Sequence, residues 1–122
     1  MRRTRAPKRK IRILIADREG IFRLGLKRLL SVEDDLRIVA QAESRDQVAS
    51  LAKKFKPDLL FVQAELVGAE PEGLFSSVRL AWPGGKIIIT ASTLAEDDAG
   101  RYVKAGAAGV ILKSVEPAMF VK

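Results

Sequence analysis

Pro57-Asp58-Leu59-Leu60-Phe61-Val62-Gln63 is a near-continuous apolar run, opened by a proline and closed by an uncharged amide. Strict alternation marks a strand with one wet face. An unbroken apolar run marks a strand covered on both faces, as in a parallel sheet. Four more runs share that character: Ile11-Arg12-Ile13-Leu14-Ile15-Ala16, Leu36 to Gln41, Lys86-Ile87-Ile88-Ile89-Thr90 and Gly109-Val110-Ile111-Leu112-Lys113. Between them the spacing turns helical. Ile21, Phe22, Leu26, Leu29 and Leu30 fall on one side of a first helix, and Val48, Leu51, Ala52 and Phe55 on one side of a second.

The helix boundaries are marked too. Ser44 with Gln47 and Thr93 with Glu96 have capping-box spacing. Pro71 suits the first residue of a third helix reaching about Ala81, and Gly106 suits a left-handed cap after the fourth. The expected fold is α/β, a (βα)₅ chain whose right-handed crossovers put helices on both faces of a doubly wound parallel sheet. A fifth helix should begin near Glu116-Pro117, yet the chain stops at Lys122. That helix is either short or cut. Met119 and Phe120 resemble the opening of an apolar face, which favours a chain taken from a longer protein.

At 122 residues the chain fits one domain, read as a basic tail over 1–10 and a folded body over 11–122. Six of the first ten residues are basic: Arg2, Arg3, Arg5, Lys8, Arg9 and Lys10. The rest carries 16 basic and 15 acidic residues. The body is therefore expected to be nearly neutral and only the tail basic. Such a tail can touch phosphates of nucleic acid or of an anionic membrane. It lacks interleaved aromatic residues for stacking on bases, which favours a solubilising leader. The apolar run after it is too short, and broken by Arg12, for a secretory signal, and no stretch is long enough to cross a bilayer. Cysteine and histidine are both absent. Disulfides, thiolate metal sites and the usual general base near neutral pH are excluded, and a reducing cytoplasm is the expected setting.

In open parallel sheets functional groups gather beyond the carboxyl ends of the strands. This chain delivers Asp17 and Arg18 there from the first strand, Gln63 from the third, Thr90 from the fourth and Lys113 from the fifth. Each has a plainer reading. Asp17 could be a helix N-cap, Thr90 a β-branched strand residue, and Lys113 a side chain snorkelling at a strand end. Glu19 reads as a surface or first-turn acid, and Glu65 as a solvated residue in a loop after Gln63.

Taken together, Ile13-Leu14-Ile15-Ala16-Asp17, Phe22-Arg23-Leu24-Gly25-Leu26, Lys56-Pro57-Asp58, Ala105-Gly106-Ala107-Ala108-Gly109 and Leu112-Lys113 resemble the receiver domains of two-component response regulators. The type fused to helix-turn-helix output domains is the most similar. The resemblance implies a flavodoxin-like sheet in the order 2-1-3-4-5. It also implies two adjacent acids holding Mg²⁺, an aspartate on the third strand accepting phosphate, a Thr or Ser and a Lys contacting the phosphoryl group, and an aromatic residue switching on the fifth strand. By position, Asp17, Thr90 and Lys113 are kept. Arg18 replaces the second acid, Gln63 the acceptor, Val110 the aromatic, and Val67 a proline that usually follows the acceptor loop.

One carboxylate beside two cations is a poor site for a hard divalent ion. The expected pocket neutralises itself: Lys113 pairs with Asp17, and the Gln63 carbonyl oxygen accepts from Lys113. The resulting expectation is a degenerate receiver, not an enzyme and without a cofactor. It would work independently of phosphorylation through protein contacts, its state set by dimerisation, a ligand or another protein. It would control an output domain beyond this chain, so that DNA is reached indirectly. The family's usual partner face, formed by the fourth helix, fifth strand and fifth helix, includes Tyr102, Val103 and Val110. The alternatives are a phosphoacceptor using a non-standard residue, a nucleic-acid binder acting through the tail, and a small-ligand sensor.

Overall fold

The computed structural model describes residues 10–68, 70–93 and 98–114. Five strands, β1 (Ile11–Ala16), β2 (Leu36–Ala42), β3 (Leu59–Gln63), β4 (Lys86–Ala91) and β5 (Gly109–Leu112), form one sheet in the order β2-β1-β3-β4-β5. Every pairing is parallel. The helices between them are α1 (Gly20–Ser31), α2 (Arg45–Phe55), α3 (Ala64–Val67), α4 (Pro71–Ala81) and α5 (Asp98–Ala105).

Side-chain alternation on the strands sorts the core into two layers. Leu14, Ala16, Leu60, Val62, Ile87 and Ile89 face a layer completed by Val48 and Ala52 of α2, Leu74, Phe75 and Val78 of α4, and Tyr102 of α5. Ile13, Ile15 and Phe61 face the other way and pack with Leu26 and Leu30 of α1. Both faces of the sheet are thus covered, which is why the strands read as unbroken apolar runs.

Two expectations need correction. Ile21 is 87% exposed, outside the buried side of α1. It stands five residues before Leu26, about 140° around the helix at about 100° per residue. The stretch after Gln63 is a one-turn helix, α3, instead of a loop, although Glu65 within it is exposed as expected. Pro71 does open α4. The Gln47 Oε1 accepts from the amides of Ser44 (3.2 Å) and Glu43 (2.7 Å), fixing the start of α2. The Glu96 half of the other capping box, the fifth helix at Glu116-Pro117 and the tail through Arg9 lie outside the described residues.

Gly106 sits at φ +126° between α5 and β5, where its amide donates to the Val103 carbonyl at 3.0 Å. A Cβ there would stand 2.0 Å from Arg79 Nη2, which donates to the Ala105 carbonyl at 2.8 Å. Gly25, inside α1, has open space around its would-be Cβ. Gly106→Ala should therefore cost about 1–3 kcal/mol of stability, whereas Gly25→Ala should add about 0.5–1 kcal/mol. Urea denaturation of both variants reads the opposite signs directly.

Candidate functional site

Asp17 follows β1 immediately and is fully buried. Its amide donates to the Ala42 carbonyl at 3.0 Å, continuing the β1–β2 ladder one residue past the strand. The side chain turns back on the chain: Oδ1 accepts from the amide of Glu19 at 2.7 Å. That bond, two residues on, is an Asx-type turn that aims the chain into α1. Glu19, not Asp17, is the N-cap of α1.

The other carboxylate oxygen, Oδ2, lies 2.9 Å from Lys113 Nζ. Lys113 is placed by its own amide, which donates to the Ala91 carbonyl at 2.8 Å just beyond β5. Its ammonium also pairs with Glu19 Oε1 and lies 4.3 Å from the centre of the Phe22 ring. Burial alone pushes the Lys113 pKa down, but its bonds to Glu19 and Asp17 outweigh it and raise the amine above its ordinary value of 10.5.

Gln63 closes β3, buried to 5% exposure, level with Thr90 on β4. Its Oε1 accepts from the amide of Arg18 at 2.8 Å. The expectation that Gln63 accepts from Lys113 is thus corrected: the ammonium is engaged by two carboxylates, and the amide oxygen serves the backbone instead. Thr90 is 1% exposed, and its hydroxyl has no hydrogen-bond partner among the described residues.

Three contributors escaped the sequence reading. Glu19 is exposed yet holds Lys113. Phe22 offers its ring face to the same ammonium. Arg23 donates to the Asp17 carbonyl and to Gln41 Oε1 (3.2 Å), and stands 3.6 Å from Glu43. The spacing of Glu19 and Phe22, two and five residues past Asp17, was the one available signal.

On the proposed partner face Val103 is 52% exposed and Val110 is half-buried against the core. Tyr102 is buried, 5% exposed, so it belongs to the core and not to a contact surface. That burial, with Asp98 adding to it, pushes the Tyr102 pKa above 10.0.

These donors do not fit Mg²⁺, which prefers near-octahedral oxygen ligation. Asp17 already carries an ammonium at 2.9 Å, the Gln63 oxygen is committed to the Arg18 amide, and residue 18 itself is a cation and no oxygen ligand. Among the described residues no group of three or more acids, histidines or cysteines could hold a metal.

A doubly wound parallel sheet presenting an acid, a hydroxyl and an amine at its strand ends has the form of a receiver domain from two-component signalling. The sequence pattern of the response regulator receiver domain matches residues 13–122, and the chain belongs to that family. It is 29% identical over 110 residues to the nitrate/nitrite response regulator protein NarL of Escherichia coli strain K12, covering 90% of this chain and 51% of that protein. Response regulator GacA of Pseudomonas viridiflava is 32% identical over 114 residues, covering 92% and 52%. The chain thus spans about half the length of the curated relatives it matches. The receiver domain of the putative response regulator NarL from Mycobacterium tuberculosis has the same fold, with a TM-score of 0.84 at 22% identity over 93% of this chain and 92% of that one. A LuxR-family two-component response regulator from Aurantimonas sp. SI85-9A1 gives 0.81 at 26% identity over 92% and 80%.

Removing the amine tests the pocket. Lys113→Met should cost about 3–5 kcal/mol at neutral pH, because it strands a buried carboxylate. Glu19→Gln, at a largely exposed partner, should cost under about 1 kcal/mol. Since the folded amine titrates above the unfolded one, its stabilisation is full below 10.5 and is lost as pH rises through the folded value. Denaturant midpoints between neutral and strongly alkaline pH should show that loss in the native chain. Lys113→Met should lack the amine's share, leaving the alkaline loss due to Tyr102.

Proposed function

We propose that this receiver is not an enzyme and signals without being phosphorylated, by contact with protein partners. The observation that carries the reading is Gln63 at the end of β3, its Oε1 already accepting from the Arg18 amide. A carboxylate at that position can attack phosphorus and form an acyl phosphate; a neutral amide does neither under ordinary conditions. The charge balance supports the same reading. The Lys113 ammonium, paired with Asp17, supplies from within the chain the positive charge that a metal ion would bring.

The relatives named above are response regulators about twice as long as this chain, and another is named transcriptional regulatory protein DegU. We therefore assign the module to control of a transcription-regulating output domain, in the cytoplasm. Contact would use the side that carries Val103 and Val110, with Leu112, 40% exposed, at its edge. A partner or a second copy then sets the state by preferring one conformation over another.

Incubation with acetyl phosphate and Mg²⁺, followed by intact-mass measurement, tests the proposal. The native chain should gain no phosphoryl adduct. The double variant Arg18→Asp with Gln63→Asp, which returns both missing carboxylates, should gain one. An adduct on the native protein would overturn the reading and point to a non-standard acceptor such as the exposed Glu65.

A further inference from the structure

The near-neutral sum of the folded body conceals a strong separation of charge. In this parallel fold every strand starts, and the four longer helices α1, α2, α4 and α5 end, at the same end of the molecule. Eleven basic side chains of the described residues stand there. Lys10, Arg12, Arg37 and Lys86 lie at strand starts, and seven more close the helices, from Lys27 and Arg28 of α1 to Lys104 of α5. Only four acids join them, Glu33, Asp34, Asp35 and Asp58, so this end carries a net charge of +7. Among the described residues the site end carries five basic and eight acidic side chains, a net of −3.

The two ends also differ in how the charge is used. All four ion pairs between described residues lie at the site end. At the other end ten of the eleven cations are exposed; Arg12, half-buried, donates to the Phe55 carbonyl at 2.5 Å and 3.2 Å. Helix dipoles account for part of the pattern, since cations favour helix C-termini. Each carries roughly half a negative charge, so four helix ends offset about two units and leave about +5. They do not account for the cations at strand starts. Five further cations, Arg2, Arg3, Arg5, Lys8 and Arg9, immediately precede Lys10 in the sequence.

Shape narrows the choice of polyanion. Two open concavities flank Lys10, each with more cations than acids: one of about 240 Å³ lined by Lys10, Lys27 and Arg37 with Glu33 and Asp34, the other of about 400 Å³ lined by Lys10 and Lys86 with Asp58. A phosphate strand can lie in such a concavity between cations, whereas a flat bilayer would meet only the rims. The exposed apolar residues here, Ile11 at the start of β1, Val32 just past α1 and Leu80 on α4, lie on separate elements, so the described residues form no apolar patch ready to insert into lipid.

We infer that this end of the receiver, opposite the strand-end pocket, binds nucleic-acid backbone directly and without reading sequence. The inference goes beyond the proposed function and does not depend on the chemistry at Gln63.

Fluorescence anisotropy of the 122-residue chain with a labelled mixed-sequence duplex, across a salt series from about 50 to 300 mM, tests it. Binding should weaken linearly in log–log form, with a slope near −0.9 for each phosphate neutralised and about −4 or steeper overall. Lys10→Glu with Arg37→Glu and Lys86→Glu, tail intact and folding verified by circular dichroism, should weaken binding at least tenfold and flatten the slope. Arg101→Gln, at the other end, should leave both unchanged. A chain lacking residues 2–9 should retain salt-dependent binding that the triple substitution removes. The inference is overturned by no binding at the lowest salt, by native-like binding of the triple variant, or by tighter binding to vesicles rich in anionic lipid than to the duplex.

Discussion

A carboxylate with no solvent exposure has to be compensated where it stands, and Asp17 sets that demand at the end of β1. Burying an unpaired charge costs several kcal/mol even after relaxation. Two partners meet the cost: the Glu19 amide at 2.7 Å and the Lys113 ammonium at 2.9 Å. The first bends the chain into α1. The second comes from beyond β5, at the far side of the sheet, with the ends of β3 and β4 between. One ion pair therefore ties the sheet's second strand to its edge strand, and the ends of Gln63 and Thr90 must be arranged around it.

Much follows from that tie. Lys113 lies over Phe22 because a lysine reaching Asp17 passes the first turn of α1, where an aromatic face accepts an ammonium at low cost. Glu19 joins because the turn that Asp17 makes puts the next acid beside the same amine. Arg23, the residue after Phe22 along α1, donates to the Asp17 carbonyl and stands near Glu43, so the loops after β1 and β2 are held together. The frame around the pocket is overdetermined by contacts that need no phosphoryl group and no metal.

The fold was largely legible because its signals are local and repetitive. Unbroken apolar runs specify strands buried on both faces, Pro71 and the Ser44–Gln47 pair specify helix starts, and Gly106 specifies a turn no other residue adopts easily. Identity of the pocket residues was legible for the same reason, since each follows directly on a strand end. Their partnerships were not. Whether Gln63 serves Lys113 or the Arg18 amide depends on which donor gets there first in three dimensions, and sequence spacing is silent on that. Ile21 misled because it adjoins Phe22, although its spacing from Leu26 turns it about 140° away from the buried side. Charge separation was hidden by addition: composition sums what the fold sends to opposite ends.

Gln63 makes a structural bond that does not depend on the charge of its side chain. In the observed arrangement its oxygen accepts from the Arg18 amide, a task any side-chain carbonyl or carboxylate of suitable reach performs. Swapping carboxylate for amide keeps that bond and removes one negative charge. Arg18, whose amide makes the bond, is a cation where the resemblance implies an acid. The contacts seen around it join Asp17 and Glu19 to the one ammonium of Lys113. On the proposal above, a pocket already closed by the Asp17–Lys113 pair takes its signal through the surface.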